Sequence, residues 1–291
     1  MKDKIIILSY NILYKIFNIQ QNTEYCIQNN NNICIQNTES ILLSSNFDII
    51  ALQEIATYHF EQFSESFKSY MNNTYNIYFT DIPSYKYTKK YNIYKLLKLY
   101  PSTLSFEHNE ICAGIITLVH KKFKSKLLSA GIFTNYVKKN YAKLSYKIMH
   151  GRPYQLLLIN DFIFINLHAP HIPKTNSNTN LNTYNYNKLY FKILRKLILI
   201  FQYKLKTKKI IISGDFNTNL SSFMNLNKLN NNYNTCCHHG TYSNKFNYCI
   251  DHIFTSFNKI KFKVLDINKY KYNNIYYTSD HKPIIASVEY K

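Results

Sequence analysis

Six short stretches of this chain carry residues able to hold a metal ion, bind phosphate or move a proton. In Ile210–Asn219, I-I-I-S-G-D-F-N-T-N, a run of β-branched residues ends at Gly214, and Asp215 and Asn217 follow two apart. Strand side chains alternate, so with Phe216 turned away, Asp215 and Asn217 are expected on one side. A carboxylate beside an amide at the end of a buried strand suits a hydrated phosphate or a hard cation. The same grammar recurs at Asn11 after Ile5–Tyr10, at Gln53-Glu54 after Asp48–Leu52, and at His168 after Phe162–Leu167. It recurs again at Asp251-His252, which opens an apolar run, and at Ser279-Asp280-His281. One polar strand end simply begins a loop. Strand ends of one sandwich lie near each other, so the whole set can converge on a single point.

The elements that must position these residues are legible from periodicity. Lys4–Leu13, Asp48–Ile55, Asn76–Thr80, Ile111–Phe123, Tyr154–Ile159, Phe162–His168 and Ile210–Ile212 read as strands, as do Asn247–Ser256, Lys259–Ile267 and Pro283–Tyr290. Asn160-Asp161 is a hairpin turn signal. Gly131–Ile148 has room for one or two strands. Apolar residues at helical spacing predict helices over His59–Met71 and Leu181–Lys206, and Thr38 is read as the cap of a short helix ending at Leu43. Asn18–Asn37 is Asn/Gln-rich and reads as a surface loop. Strands and helices mix without a linker or repeat, which predicts two mixed sheets packed face to face with helices outside. Residues 1–291 read as one domain with a Tyr/Lys-rich insertion near 83–101. That insertion interleaves aromatics and cations, a pattern that stacks bases, although an amphipathic surface segment has the same composition.

Composition narrows the class. The formal net charge is +20, from 36 basic against 16 acidic residues. Such a field favours polyanionic partners, nucleic acid before an anionic membrane. Lysine has a second source, because abundant Asn, Lys, Ile and Tyr with no Trp is the signature of an AT-rich coding sequence. Arginine is scarce, and Arg152 lies in a Gly-Arg-Pro turn where a bidentate fork suits a phosphate. No run of about 18 apolar residues predicts a membrane span. Met1–Leu13 has the lysines and apolar run of a signal peptide but is too short and lacks a cleavage site, so it reads as the first strand. The six cysteines show no C-x-x-C pattern, and Cys236-Cys237 are adjacent, so a reducing, intracellular setting (cytoplasm or nucleus) is expected. His238-His239 reads as surface loop, since adjacent side chains on a strand point apart.

In this order the clusters resemble the endonuclease/exonuclease/phosphatase superfamily, with its DNase I-like fold. The matching residues are S-Y-N at Ser9–Asn11, L-Q-E at Leu52–Glu54, N-L-H at Asn166–His168 and G-D-F-N at Gly214–Asn217. I-D-H-I-F at Ile250–Phe254 and S-D-H at Ser279–His281 complete the set. The resemblance implies an α/β, four-layer sandwich and Mg²⁺-dependent phosphoester cleavage, with Mn²⁺ as a substitute. It places the metal on Glu54, with Asn11 and Asp280 contributing. It makes His168, Asp215, Asn217, Asp251 and His281 catalytic, with Asp251 orienting His281, and either His281 or Asp215 taking the proton. His168, Asn217 and Arg152 would contact phosphate. With the metal on the Glu54 side, Asp215 and Asn217 fall to the side that positions phosphate and water. The roles of His252 and His171 stay open.

The fold supports many phosphoesters. Charge favours a nuclease acting on DNA or RNA as a monomer. A sphingomyelinase-like or other small-molecule phosphodiesterase or phosphatase is the alternative. Asn247-Tyr248-Cys249-Ile250 lacks the tryptophan that inositol phosphatases usually carry before the equivalent of Asp251. A non-catalytic polyanion-binding protein on the same fold is the reading from a different class.

Overall fold

The structure, a computed structural model, describes residues 4–12, 31–83, 111–132, 153–169, 180–217, 234–235, 241, 249–272, 275–276, 278–279 and 281–290. Strand β1 (Lys4–Asn11) leads to α1 (Asn31–Leu42), β2 (Ile49–Gln53), α2 (Thr57–Phe60) and α3 (Glu65–Thr74). Strands β3 (Tyr75–Pro83), β4 (Ile111–His120), β5 (Ser125–Ile132), β6 (Pro153–Ile159) and β7 (Phe162–His168) follow. Helix α4 (Asn180–Leu205) precedes β8 (Ile210–Asp215), β9 (Asn234–Thr235), β10 (Asp251–Thr255) and β11 (Ile260–Val264). A small hairpin of β12 (Lys271–Tyr272) and β13 (Ile275–Tyr276) and the strand β14 (Ile284–Glu289) complete the chain.

The strands form two six-stranded sheets, ordered β11-β14-β1-β2-β4-β3 and β5-β6-β7-β8-β10-β9. Each sheet contains one parallel pair, β1/β2 in the first and β7/β8 in the second. Parallel neighbours need a crossover, and α1 and α4 lie within these two connections.

Strand alternation sorts the core into three layers. Ile5 and Ile7 of β1, Ile49 and Ala51 of β2, Phe162 and Phe164 of β7, and Ile211 of β8 pack between the sheets. Leu8, Tyr10, Ile50 and Leu52 face the other way, onto Cys34, Ile41 and Phe67 of the first helical layer. Ile163, Ile165, Ile210 and Ile212 face Tyr190, Phe191, Leu194 and Ile198 of α4. The result is helix, sheet, sheet, helix, the expected four-layer sandwich.

The inward rows change character along their length. Ile5-Ile7 becomes Ser9-Asn11, Ile49-Ala51 becomes Gln53, Phe162-Phe164 becomes Asn166-His168, and Ile211 becomes Ser213-Asp215. Midway, a polar seam joins the sheets. Gln53 Nε2 donates to Asn166 Oδ1 at 2.8 Å, Asn166 Nδ2 donates to Thr117 Oγ1 at 3.0 Å, and Thr117 Oγ1 donates to Gln155 Oε1. Gln155 Nε2 reaches Thr80 Oγ1 at 2.9 Å. All five side chains are buried, so each amide needs its partners, and the seam fixes how one sheet sits on the other.

Several boundaries differ from expectation. Helix α1 begins at Asn31, inside the stretch read as loop, and Thr38 lies in mid-helix with Oγ1 donating to the Cys34 carbonyl. Burial of Cys34, Ile35 and Ile41 outweighs the poor helix propensity of the asparagines. The single helix expected over His59–Met71 is two, because Ser64 caps α3 by accepting from Phe67 N. Strand β5 spans Ser125–Ile132, a strand not expected before Gly131, and the rest of Gly131–Ile148 lies outside the described residues. So do residues 84–100 of the insertion. The cysteine reading also changes: Cys34 and Cys249 are each disulfide-bonded. Pairing depends on distance in space, which sequence spacing does not give.

Candidate active site

Register brings the polar strand ends to one place. Asn11 pairs across β1/β2 with Gln53, the residue before Glu54. His168 pairs with Asp215 across β7/β8, and Asp251 pairs with Asp215 across β10/β8. One face of the second sheet therefore presents His168, Asp215 and Asp251 side by side, opposite Asn11 and Glu54 of the first.

The closest contacts centre on Asp215 Oδ2. Asn11 Nδ2 donates to it at 2.9 Å and to Glu54 Oε1 at 3.3 Å. His168 Nε2 lies 3.5 Å from Asp215 Oδ2 and 3.7 Å from Glu54 Oε1. His281 Nε2 lies 3.9 Å from Asp215 Oδ2 and 3.4 Å from Asn11 Nδ2. Behind it, His281 Nδ1 meets Asp251 Oδ2 at 2.8 Å. A proton on Nδ1 there leaves Nε2 facing the other groups.

Two residues of the site adopt left-handed backbone. Glu54 has φ 56° and Asn217 has φ 50°. Such conformations are uncommon without glycine and persist only when neighbours impose them. At Glu54 the flanking backbone is tied on both sides: Ile12 N donates to the Gln53 carbonyl and Ile55 N to the Gly114 carbonyl. At Asn217 the left-handed turn ends the strand alternation. The backbone N–H of Asn217 donates to Asp215 Oδ1 at 2.8 Å, and its side-chain Nδ2 donates to the Ala169 carbonyl at 2.9 Å. Asn217 thus fixes Asp215 and ties the ends of β7 and β8 together, through the turn rather than through shared strand parity. Phe216 is buried against α4, as expected. Gly214 makes the close approach possible. Its φ is 147°, and a Cβ there would stand 1.9 Å from the Leu167 carbonyl oxygen.

Burial sets the electrostatics. Asp215 is fully enclosed, and loss of hydration together with the charge of Asp251 pushes its carboxyl up to about 7. The facing His281 and the hydrogen bonds from Asn11 and Asn217 act against that rise.

The donor set fits a hard divalent cation. Glu54, His168 and Asp215 each offer a ligand atom within 4.8 Å of the others. Glu54 has the most exposed of these side chains, at 18%. Asn11 adds an amide oxygen once its amide is turned over, and amide orientation is set by whatever faces it. The carboxylate oxygens of Glu54 and Asp215 are donors of the kind that hard divalent cations take, and His168 brings a ring nitrogen beside them. Asp280, the third expected ligand, lies outside the described residues, as do Arg152, His171 and His238-His239.

His252 falls on the other face of β10, fully buried, with its ring edge-on to Phe216 at 5.4 Å. It is a packing residue of the α4 layer. Residues quoted only as motif neighbours turn out to support the site. Tyr10 OH accepts from Ser279 N at 3.3 Å, and Ser279 Oγ accepts from His281 N at 3.0 Å. Their signal in sequence was burial parity: Tyr10 faces away from Asn11, where its hydroxyl needs a partner.

The family model of the endonuclease/exonuclease/phosphatase family matches residues 8–281. Truncated Caenorhabditis elegans TDP2 is similar in structure, with a TM-score of 0.60 and 14% identity over 99% of this chain and 98% of that one. An endonuclease/exonuclease/phosphatase from Bacteroides vulgatus gives 0.59 and 13% over 100% of both chains. The human Nocturnin catalytic domain, solved with a bound sulfate anion, gives 0.56 and 15% over 99% and 94%. No curated protein sequence matches the chain. Six strand-end clusters in order, two sheets that aim them at one point and a family model spanning them all lead to one conclusion: this chain belongs to the endonuclease/exonuclease/phosphatase family.

Proposed function

We propose that this protein is a divalent-metal-dependent nuclease that hydrolyses phosphodiester bonds in DNA or RNA. The observation that carries the proposal is the convergence of Asn11, His168 and His281 on Asp215 Oδ2, with Glu54 beside Asn11 and His168 and with Asp251 behind His281. The net charge of +20 supports a polyanionic substrate. A Danio rerio TDP2 of similar fold, solved with a single-strand DNA product, supports the choice of nucleic acid (TM-score 0.54, 13% identity over 98% of both chains).

Asp215 accepts the proton of the attacking water. Its raised carboxyl pKa brings its basicity near neutral pH, where proton transfer is efficient. Asn217 N–H occupies Oδ1 and leaves Oδ2 toward the other groups. His281, in its imidazolium form with Asp251 accepting from Nδ1, and His168 donate to phosphoryl oxygens through their Nε2 atoms. Glu54 would hold the cation with Asn11 and Asp280, and a cation bound there would supply charge neutralisation at the phosphoryl oxygens and the leaving group. Arg152 contacts a flanking phosphate. Residues 1–291 act as one domain, a reading that a family match from 8 to 281 supports, and the protein acts as a monomer.

A panel of single- and double-stranded DNA, RNA, poly(A), sphingomyelin and inositol phosphates tests the proposal, with Mg²⁺ and with EDTA. Cleavage of a nucleic acid that stops with EDTA is expected. Tight DNA binding without turnover on any member would replace it with a binding role.

A further inference from the structure

Asp251 opens β10 in the second sheet, whereas His281 leads into β14 in the first. The hydrogen bond between them therefore crosses from sheet to sheet. Ladder pairing fixes Asp251 against Asp215, but it does not fix His281 against Asp251.

One buried residue touches both segments. Thr241 has no exposed surface. Its Oγ1 accepts from Ile250 N at 3.1 Å and from Asp251 N at 3.1 Å. Its carbonyl oxygen accepts from Lys282 N at 2.7 Å. The backbone of the acid and the backbone beside the histidine thus hang on the same residue. A second tie runs from Ile250, whose carbonyl accepts from Phe216 N at 2.8 Å and so connects the clamp to the end of β8.

We propose that Thr241 is a positioning residue for the Asp251–His281 pair, acting through backbone hydrogen bonds and touching no substrate. The proposal rests on the phosphoesterase reading for its kinetic consequence, and on geometry alone for its structural one. The chemistry requires a hydroxyl oxygen. Two N–H groups converge on Oγ1, and in a buried site neither finds water if that oxygen is removed. Valine keeps the shape of threonine and removes the acceptor. Serine keeps the acceptor and removes only a methyl group. Loss of the acceptor frees the start of β10, and the 2.8 Å contact that orients the imidazole loosens with it. The effect reaches turnover through His281 orientation and leaves substrate contacts in place.

The test uses the full chain with Mg²⁺ and a labelled single-stranded DNA, in the wild type, Thr241→Val, Thr241→Ser, Asp251→Asn and the Val/Asn double variant. Thr241→Val is expected to lower kcat about 10–100-fold, the scale for losing a group that orients a working histidine, with KM within about twofold. Thr241→Ser is expected to keep kcat near wild type. In the Asp251→Asn background the valine is expected to cost less than about twofold, because its effect passes through Asp251. If valine does not fold, Thr241→Ala takes its place, with melting temperature recorded for each. A readout independent of turnover is the low-field proton resonance of the His281 Nδ1–H, identified by its loss in His281→Ala. It is expected in the wild type and Thr241→Ser and absent from Thr241→Val. Wild-type kcat in Thr241→Val, an equal loss in the Asp251→Asn background, or survival of the resonance in Thr241→Val would each overturn the proposal. If the wild type turns over no DNA yet the resonance behaves as expected, the clamp stands and the nuclease reading falls.

Discussion

His281 Nδ1 lies 2.8 Å from Asp251 Oδ2, and the two residues belong to segments of different sheets. The site is therefore an interface between sheets, and its geometry is only as good as the packing that holds them together. The functional contrast with the adjacent histidine follows directly. His281→Ala is expected to lower kcat by about three orders of magnitude and Asp251→Asn by about one to two, the scale of a general acid–base or orienting group. His252→Phe, on the opposite face of β10 against Phe216, is expected to keep kcat within about threefold while shifting melting temperature. Steady-state kinetics and thermal melts on the three variants check the assignment, and equal loss at His252 would contradict it.

Metal binding should stabilise the fold through Glu54. Anything bound only by the native state raises stability by mass action. Mg²⁺ at millimolar concentration is expected to raise the melting temperature of the EDTA-treated wild type, and Glu54→Gln is expected to remove most of that shift without unfolding the protein. Calorimetry reads this without any substrate.

The carboxyl of Asp215 predicts an unusual pH dependence. Its folded pKa is raised above the ordinary 3.8, first by burial and then by the charge of Asp251. For a raised carboxyl the folded state binds the proton more tightly than the unfolded state. The contribution is present in full below about pH 4 and is lost as pH climbs toward 7. In metal-free protein, unfolding free energy is expected to fall over that window by on the order of 4 kcal/mol, and Asp215→Asn to flatten the fall. Urea titrations at pH 4.5, 5.5, 6.5 and 7.5 measure it; a slope of opposite sign would contradict the burial argument.

Gly214→Ala should be costly. Beyond the left-handed φ, the added Cβ would stand 1.9 Å from the Leu167 carbonyl oxygen on the adjacent parallel strand. Backbone cannot move there without parting β7 from β8, so a loss of at least about 2 kcal/mol is expected. A midpoint of denaturation close to wild type would show that the strands can separate without penalty.

Much of this protein was legible without coordinates. Apolar runs ending in Asn11, Glu54, His168 and Asp215 announce strands whose last residues are polar, because only a strand end can leave such groups near solvent or substrate. Period-two alternation assigned the faces, and it correctly turned Phe216 into the core. Alternation failed where backbone leaves the strand region: Asn217 reaches Asp215 through a left-handed turn, which side-chain type alone does not announce. The first turns of helix α1, before Thr38, read as loop because asparagine propensity is weak evidence against the burial of Cys34 and Ile35. The disulfide-bonded state of Cys34 and Cys249 is not legible in the sequence, because pairing depends on distance in space.

By itself the sequence determined which residue types stand at strand ends, and hence the family and the kind of chemistry. Only the tertiary structure decided which of them meet. Register within a sheet aligned His168, Asp215 and Asp251, and the buried seam from Gln53 to Gln155 set the first sheet over the second. That second relation is carried by long-range side-chain hydrogen bonds such as Gln53–Asn166, and no local pattern in a chain encodes the distance between two residues that far apart.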